Sequence, residues 1–389
     1  MKKGLIIVLV ILLLVGSYFI WNSTDTTMKK EKKQTIKLIE DKDIEKSIFK
    51  DYYKEARILV SKMSLEEKIG QLFLVRYDKN EVNNWKEYYP GGYILFAKDF
   101  ENHTKSSIKK ELDNNQKNSK YPLIIAVDEE GGYVTRVSRF PTLYSEKFAS
   151  PKYYYETGGY ELLEKMENEK AKLLTSLGIN LNLAPVADIS TDENDFIYSR
   201  SFGHNKEETS EFIKNMVKYA NNNHISSCLK HFPGYGNNKD THTGIAIDNR
   251  SYESFLKNDF LPFKAGIEEG VPSILVSHNI VTSIDDKYPS SLSNKVINEL
   301  RNTLNFTGII LTDDLAMNAV ASYVENNEAA TLAINAGNDM IITSDFISMY
   351  NEILNSVNNN KIKEEVINKA VLRIIAWKYQ QGIFNTQGE

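Results

Sequence analysis

Along this chain, short uninterrupted apolar runs alternate with longer segments of mixed polarity. The runs fall at Gln71 to Val75, Gly92 to Phe96, Leu123 to Val127, Asn180 to Ala184, Ser226 to Leu229, Ser273 to Ser277, Gly308 to Thr312 and Met340 to Thr343. Between most of them lie stretches with helical character, among them Gly158 to Leu177, Lys206 to Asn222, Leu256 to Glu269, Lys295 to Leu304 and Ala329 to Ala336. A short run without polar interruption suits a strand covered on both faces, as parallel strands are when helices pack on the sheet. The alternation therefore predicts an α/β fold, a (β/α)8 TIM barrel forming a single catalytic domain over residues 51–389. A doubly wound open sheet is the alternative that the same rhythm allows. Near the start of the domain, Ser64 with Glu67 three residues on predicts a helix closed by a capping box.

The N-terminus breaks this rhythm. After Lys2 and Lys3, the stretch from Gly4 to Trp21 is apolar throughout, close to the roughly 18 to 20 residues that a spanning helix needs. No small-x-small cleavage pattern follows it, and no cysteine follows that would accept a lipid. Residues 1–21 are thus expected to be an uncleaved signal-anchor transmembrane helix, and the polar residues 22–50 a stalk. The expected location is the cell membrane, with one pass and an extracytoplasmic catalytic domain. Cleavage of the segment would make the same domain a secreted one.

Composition adds exclusions more than assignments. A formal net charge of -5 and a pI near 5.8 give no basic footprint, which argues against nucleic acid as a partner. The only cysteine, Cys228, excludes an internal disulfide. Oligomeric state leaves no trace in the sequence.

A barrel places its chemistry at the C-terminal ends of its strands, and polar residues crowd those positions here. The third run ends in Asp128 and leads into EEGGYVTR, the fourth ends near Asp188, and the fifth ends in Lys230 and His231. The sixth ends in His278 and the seventh in Asp313 and Asp314. His204 follows the fourth in the RSFGH loop. The densest stretch is CLKHFPGYGNNKDTHTGIAID, from Cys228 to Asp248, where Pro233, Gly234 and Gly236 rule out a helix interior. In it, the Asp240-x-His242 spacing lets a carboxylate accept from one imidazole nitrogen while the other faces a substrate, an arrangement suited to an acid/base. Asp313, rigid at a strand end, suits a nucleophile. Each residue also has a plainer role available. Asp313 or Asp314 would cap the following helix, Asp240 and His242 would sit in a solvated turn, and Lys230 and His231 would pair inside the barrel.

KHFPGYG followed by DTH resembles the signature of glycoside hydrolase family 3, in its bacterial β-N-acetylglucosaminidase branch, which usually carries KHFPGHG and a later Asp-Ser-His. VDEEGGYVTRV is similar to the family's DQEGGRVxR, IYSRSFG to its RSFG, and TDDLAM to its nucleophile motif. Tyr235 replaces a histidine of the pattern, and the loop to Asp240 is one residue short. The resemblance implies retaining hydrolysis of β-linked N-acetylglucosamine through a glycosyl-aspartate, on cell-wall or chitin-derived saccharides, with no cofactor and no metal. Carried over by motif, Asp313 would be the nucleophile, His242 the acid/base and Asp240 its dyad partner. Asp128, Arg136, Arg200, Lys230 and His231 would bind the hydroxyls and acetamido group of the sugar. Other readings are glycoside phosphorolysis, a different β-glycoside specificity, a silent saccharide-binding protein, and a metal hydrolase using Lys230, His231, His278 and Asp313. That last reading lacks the His-x-His expected on an early strand.

Overall fold

The computed structural model describes residues 44–237, 246–317, 320, 323–324 and 328–386. The apolar runs become parallel strands β1 (Phe73–Arg76), β2 (Gly92–Leu95), β3 (Ile124–Val127), β4 (Leu181–Asn182), β5 (Ser226–Phe232), β6 (Ser273–Val276), β7 (Ile309–Thr312) and β8 (Ile341–Thr343). They pair in the order β8-β1-β2-β3-β4-β5-β6-β7, an eight-stranded sheet curled into a barrel. Closure between β7 and β8 rests on one parallel bridge, Leu311 to Met340, beside which the Thr312 amide donates to the Met340 carbonyl at 3.1 Å. Every residue of β2, β3 and β7 is buried, which is why these strands read as continuous apolar runs.

Amphipathic helices cover the outside. The helix Lys206–Asn222 is capped by the Asn205 side chain, which accepts from the Glu208 amide, and it buries Phe212, Ile213, Met216, Val217 and Tyr219. The capping box at Ser64 and Glu67 is formed as expected. The helix predicted from Gly158 begins upstream, at Pro151, and its backbone leaves helical geometry at Gly158 and Gly159. Two other predicted helices are interrupted by π-turns, at Phe255–Asp259 and Glu299–Thr303. Such turns rotate the side chains that follow out of a regular helical stripe, a change no 3.6-residue pattern announces.

Register fixes the working end of the barrel. Phe232 of β5 lies level with Val276 of β6, and Val276 lies level with Thr312 of β7. The residues just beyond therefore share one rim. β5 itself runs on from its apolar lead through Lys230 and His231, where its end was expected, to Phe232. Leu229 faces Ile274 while Phe232 faces Val276, so β5 holds one residue more than β6 over that interval. This bulge breaks the strict alternation of side chains and re-aims those beside it.

The expected anchor at 1–21, and the stalk as far as residue 43, lie outside the described residues. Among the described residues no helix is long and apolar enough to cross a membrane. The end of the segment assigned to the stalk is part of the folded body. Phe49 has no exposed surface, the Ser47 hydroxyl donates to the Tyr53 hydroxyl at 3.3 Å, and the Ile48 amide donates to Thr307 Oγ1 at 3.2 Å.

Emptying a fully buried aromatic site costs about 3–5 kcal/mol. Phe49→Ala should lose stability on that scale in chemical denaturation, whereas Lys54→Ala, at an exposed helix position, should stay within about 0.5 kcal/mol of the parent.

Candidate active site

Three successive acids leave β3, and the fold gives each a different task. Glu129 is fully buried and accepts from the amides of Arg136 (2.6 Å), Val137 (2.8 Å) and Ser138 (3.2 Å). It thereby ties the EEGGYVTR segment into a compact loop that returns Arg136 toward Asp128, where Arg136 Nη2 stands 3.7 Å from Asp128 Oδ2. Asp128 Oδ1 meets Lys230 Nζ at 2.7 Å. Glu130 faces inward and accepts from Lys230 Nζ at 2.7 Å, from Arg200 Nη2 at 2.7 Å and from Arg200 Nε at 3.1 Å.

The cluster is buried and its charges compensate. Burial alone would push the Glu130 carboxyl up, but the adjacent Lys230 and Arg200 charges overcome it and hold the group well below the usual carboxylate range. For Lys230 burial works against the charge, yet Asp128 and Glu130 keep its pKa above the ordinary value. Arg200 is likewise opposed by burial and held up by Glu130.

The bulge in β5 lets Lys230 and His231 serve this rim side by side. His231 Nδ1 lies 2.7 Å from Asp188 Oδ2, and its Nε2 lies 3.2 Å from Arg200 Nη2. A guanidinium can only donate, so Nε2 is the acceptor and Nδ1 carries the proton toward Asp188. Asp188 also accepts from the backbone amides of His231 (3.0 Å) and Tyr235 (2.8 Å). Its side chain has no exposed surface. The Tyr235 ring meets the His231 ring edge-on, with centroids 5.0 Å apart, so the departure from the family's histidine at this position fills space beside His231.

Across the rim, the Asp313 amide donates to the Val276 carbonyl at 3.0 Å, and its Oδ1 accepts from the Asp314 amide at 2.9 Å. Asp314 takes a structural role, holding the turn that follows it to the segment after β8. Its Oδ1 accepts from Ala316 N (2.9 Å) and Ser344 N (3.2 Å), and burial raises its pKa. His278 is buried with Nδ1 on Ser291 Oγ (2.7 Å) and Nε2 on the Asp314 carbonyl (3.0 Å). Both nitrogens are thus engaged in supporting the rim. His204 turns toward Glu208 at 3.5 Å and packs at a tilt against Phe202.

Of the residues singled out from sequence, Asp128, Arg136, Arg200, Lys230 and His231 form one connected network, and Asp313 stands at the same strand-end level two strands farther round. Asp240 and His242 lie outside the described residues. Glu130 and Asp188 were not among the selected site residues, although they organise Arg200, Lys230 and His231. Glu130 stood inside the quoted EEGGYVTR motif and Asp188 at the end of the fourth strand. Chemically, the network offers fixed N–H donors next to the acceptor Asp128, an array suited to a polyhydroxylated, uncharged ligand.

The chain matches the glycosyl hydrolase family 3 N terminal domain over residues 64–377. It is 30% identical over 258 residues to a beta-hexosaminidase of Methylobacillus flagellatus, covering 65% of this chain and 72% of that one. To a beta-hexosaminidase of Tolumonas auensis it is 32% identical over 270 residues, covering 65% and 75%. Among solved structures, a glycoside hydrolase family 3 beta-N-acetylglucosaminidase from a Paenibacillus species superposes with a TM-score of 0.77 at 26% identity. That match covers 83% of this chain and 63% of the other, so this chain spans less than two thirds of that protein.

Removing one partner from a buried ion cluster typically costs about 3–5 kcal/mol. Glu130→Gln should lose stability on that scale at pH 7 in urea unfolding. Because the folded-state pKa of Glu130 is depressed, its contribution is present above the unfolded-state value and fades as pH falls through the acid range. The gap between parent and variant should therefore narrow progressively below about pH 4.

Proposed function

The chain belongs to glycosyl hydrolase family 3 and is a glycosidase, and from that premise we propose that it is a retaining exo-β-N-acetylglucosaminidase. The observation that carries this reading is the compensated array of Asp128, Glu130, Arg200 and Lys230 on the rim shared with Asp313. Similarity to proteins named as beta-hexosaminidases and to a beta-N-acetylglucosaminidase supports the same specificity.

In this reading Asp128, Arg136, Arg200, Lys230 and His231 bind the hydroxyls and acetamido group of the terminal sugar. Asp313 attacks the anomeric carbon and forms a glycosyl-aspartate ester as the glycosidic bond breaks, and the departing oxygen takes its proton from His242, oriented by Asp240. Water then attacks the same carbon, giving up its proton to His242 and releasing Asp313, so that two displacements retain the β configuration. Compensation within the array matters here, because an oxocarbenium-like transition state would be repelled by an unbalanced cluster of cations. The N-terminal apolar run supports anchoring at the membrane with the barrel outside the cytoplasm, where cell-wall or chitin-derived saccharides are the fitting substrates.

Asp313→Ala should lower turnover of an aryl β-N-acetylglucosaminide by roughly 1,000-fold or more. A slow fluorinated glycosyl donor should leave its sugar on Asp313 in peptide mass spectrometry. Unchanged turnover in the variant, or a label on another residue, would remove Asp313 as the nucleophile. Product analysis with and without inorganic phosphate separates hydrolysis, which releases free sugar in both, from phosphorolysis.

A further inference from the structure

Beyond β4 the chain continues beside β5. The Cys228 amide donates to the Ala184 carbonyl at 2.9 Å, the Lys230 amide to the Pro185 carbonyl at 3.3 Å, and the Ala187 amide returns to the Lys230 carbonyl at 2.6 Å. A parallel bridge joins Val186 to Lys230. This run of backbone contacts brings Asp188 level with His231, and the Asp188 side chain is wholly buried there.

Three N–H donors converge on the two oxygens of Asp188. Oδ2 accepts from the His231 amide at 3.0 Å and from His231 Nδ1 at 2.7 Å, and Oδ1 accepts from the Tyr235 amide at 2.8 Å. A carboxylate takes all three because both of its oxygens accept. An amide of the same shape has one acceptor oxygen and would turn its NH2 group against a donor. The buried Tyr235 ring stands edge-on to the imidazole, and Phe196 packs edge-on against Tyr235 with centroids 6.0 Å apart. Packing thus holds the imidazole plane, and Asp188 holds its proton.

Arg200 shows what that proton placement serves. A guanidinium has five N–H donors in a fixed fork. Nε and one N–H of Nη2 go to Glu130, at 3.1 and 2.7 Å, and the other N–H of Nη2 is turned to His231 Nε2 at 3.2 Å. The two N–H groups of Nη1 are left for a ligand. With the proton on Nε2 instead, two donors would face each other at that distance. The guanidinium would have to swing away from His231, and its two-point hold on Glu130 would go with it.

We propose that Asp188 is a positioning residue for sugar binding: it fixes His231 as the Nδ1–H tautomer, whose bare Nε2 keeps Arg200 on Glu130 and its Nη1 donors turned to the ligand. This rests on reading Arg200 and His231 as part of the site for the terminal sugar. The tautomer of a histidine is set by the hydrogen bond that its other nitrogen makes, and here that bond is to an ionised acceptor, the stronger kind. Asp188 touches no ligand in this arrangement. It acts at two removes, through His231 and then through Arg200.

The experiment uses the full chain with 15N-labelled histidine. The chain has six histidines, and the His231 signal is the one lost in His231→Gln. Long-range 15N–1H spectra of the ligand-free protein should show His231 protonated on Nδ1 and bare on Nε2. Binding of N-acetylglucosamine is then measured by calorimetry for Asp188→Ala, His231→Ala, their double variant and His231→Gln. Asp188→Ala and His231→Ala should each weaken binding about 10- to 100-fold, the scale of a hydrogen bond to a charged group. The double variant should bind no more weakly than His231→Ala alone. His231→Gln, whose amide oxygen can accept from Arg200 in place of Nε2, should recover most of the loss. A proton on Nε2 in the ligand-free parent, losses that multiply in the double variant, or a glutamine variant no better than alanine each overturn the positioning role. If Asp188→Ala does not fold, the spectra and the two His231 variants decide. A parent that neither binds N-acetylglucosamine nor turns over its aryl β-glycosides overturns the sugar-site reading itself, and the positioning role with it.

Discussion

The rim depends on one constraint: charges taken out of water must be matched where they lie. Lys230 lies buried on β5 near its C-terminal end, and it is tolerable there because Asp128 and Glu130 each approach its ammonium at 2.7 Å. Glu130 in turn is tolerable because Arg200 covers its other side. A single unmatched member would cost several kcal/mol, so the cluster stands as a unit, and its geometry is set before any ligand arrives. Preorganisation of this kind lets a site meet a developing charge without reorganising at the moment of reaction.

The barrel was legible because strands covered on both faces must be apolar throughout, and each predicted run has a strand of the barrel at its core. Details governed by other forces were not. The bulge after Leu229 leaves no compositional mark, so a strand end read at Lys230 and His231 did not tell which way those side chains turn. The π-turn at Phe255–Asp259 read as ordinary helix, although it accompanies the buried Asp259 that faces Arg250. Phe49 was assigned to a polar stalk because one aromatic among lysines and acids carries no periodicity, yet it sits wholly in the core.

The same limit applies to the site. Asp128, Glu129 and Glu130 are adjacent and chemically alike. Only the fold separates them into a rim carboxylate, a loop staple and the acid beneath Arg200 and Lys230. His278 shows the converse, for a strand-end histidine that looked available for chemistry has both ring nitrogens turned to Ser291 and the Asp314 carbonyl. Position at a strand end identified the neighbourhood. Which way each side chain turned was decided by the partners that burial obliged it to find.

Asp128, Lys230, His231 and Asp313 are held directly by barrel register, since each lies on or next to a strand whose neighbours fix its height. Asp240 and His242 lie outside the described residues. Of the described residues that flank them in sequence, Asp188 accepts from the Tyr235 amide, and Arg250 donates to the Gly234 carbonyl and to the Asp248 carboxylate. Asp188 joins the two ends of this stretch, since the carboxylate that orients His231 also accepts from the Tyr235 amide. The two glycines that rule out a helix interior in the sequence are, on this geometry, the clearance that lets Asp259 approach Gly234 and Arg250 approach Gly236.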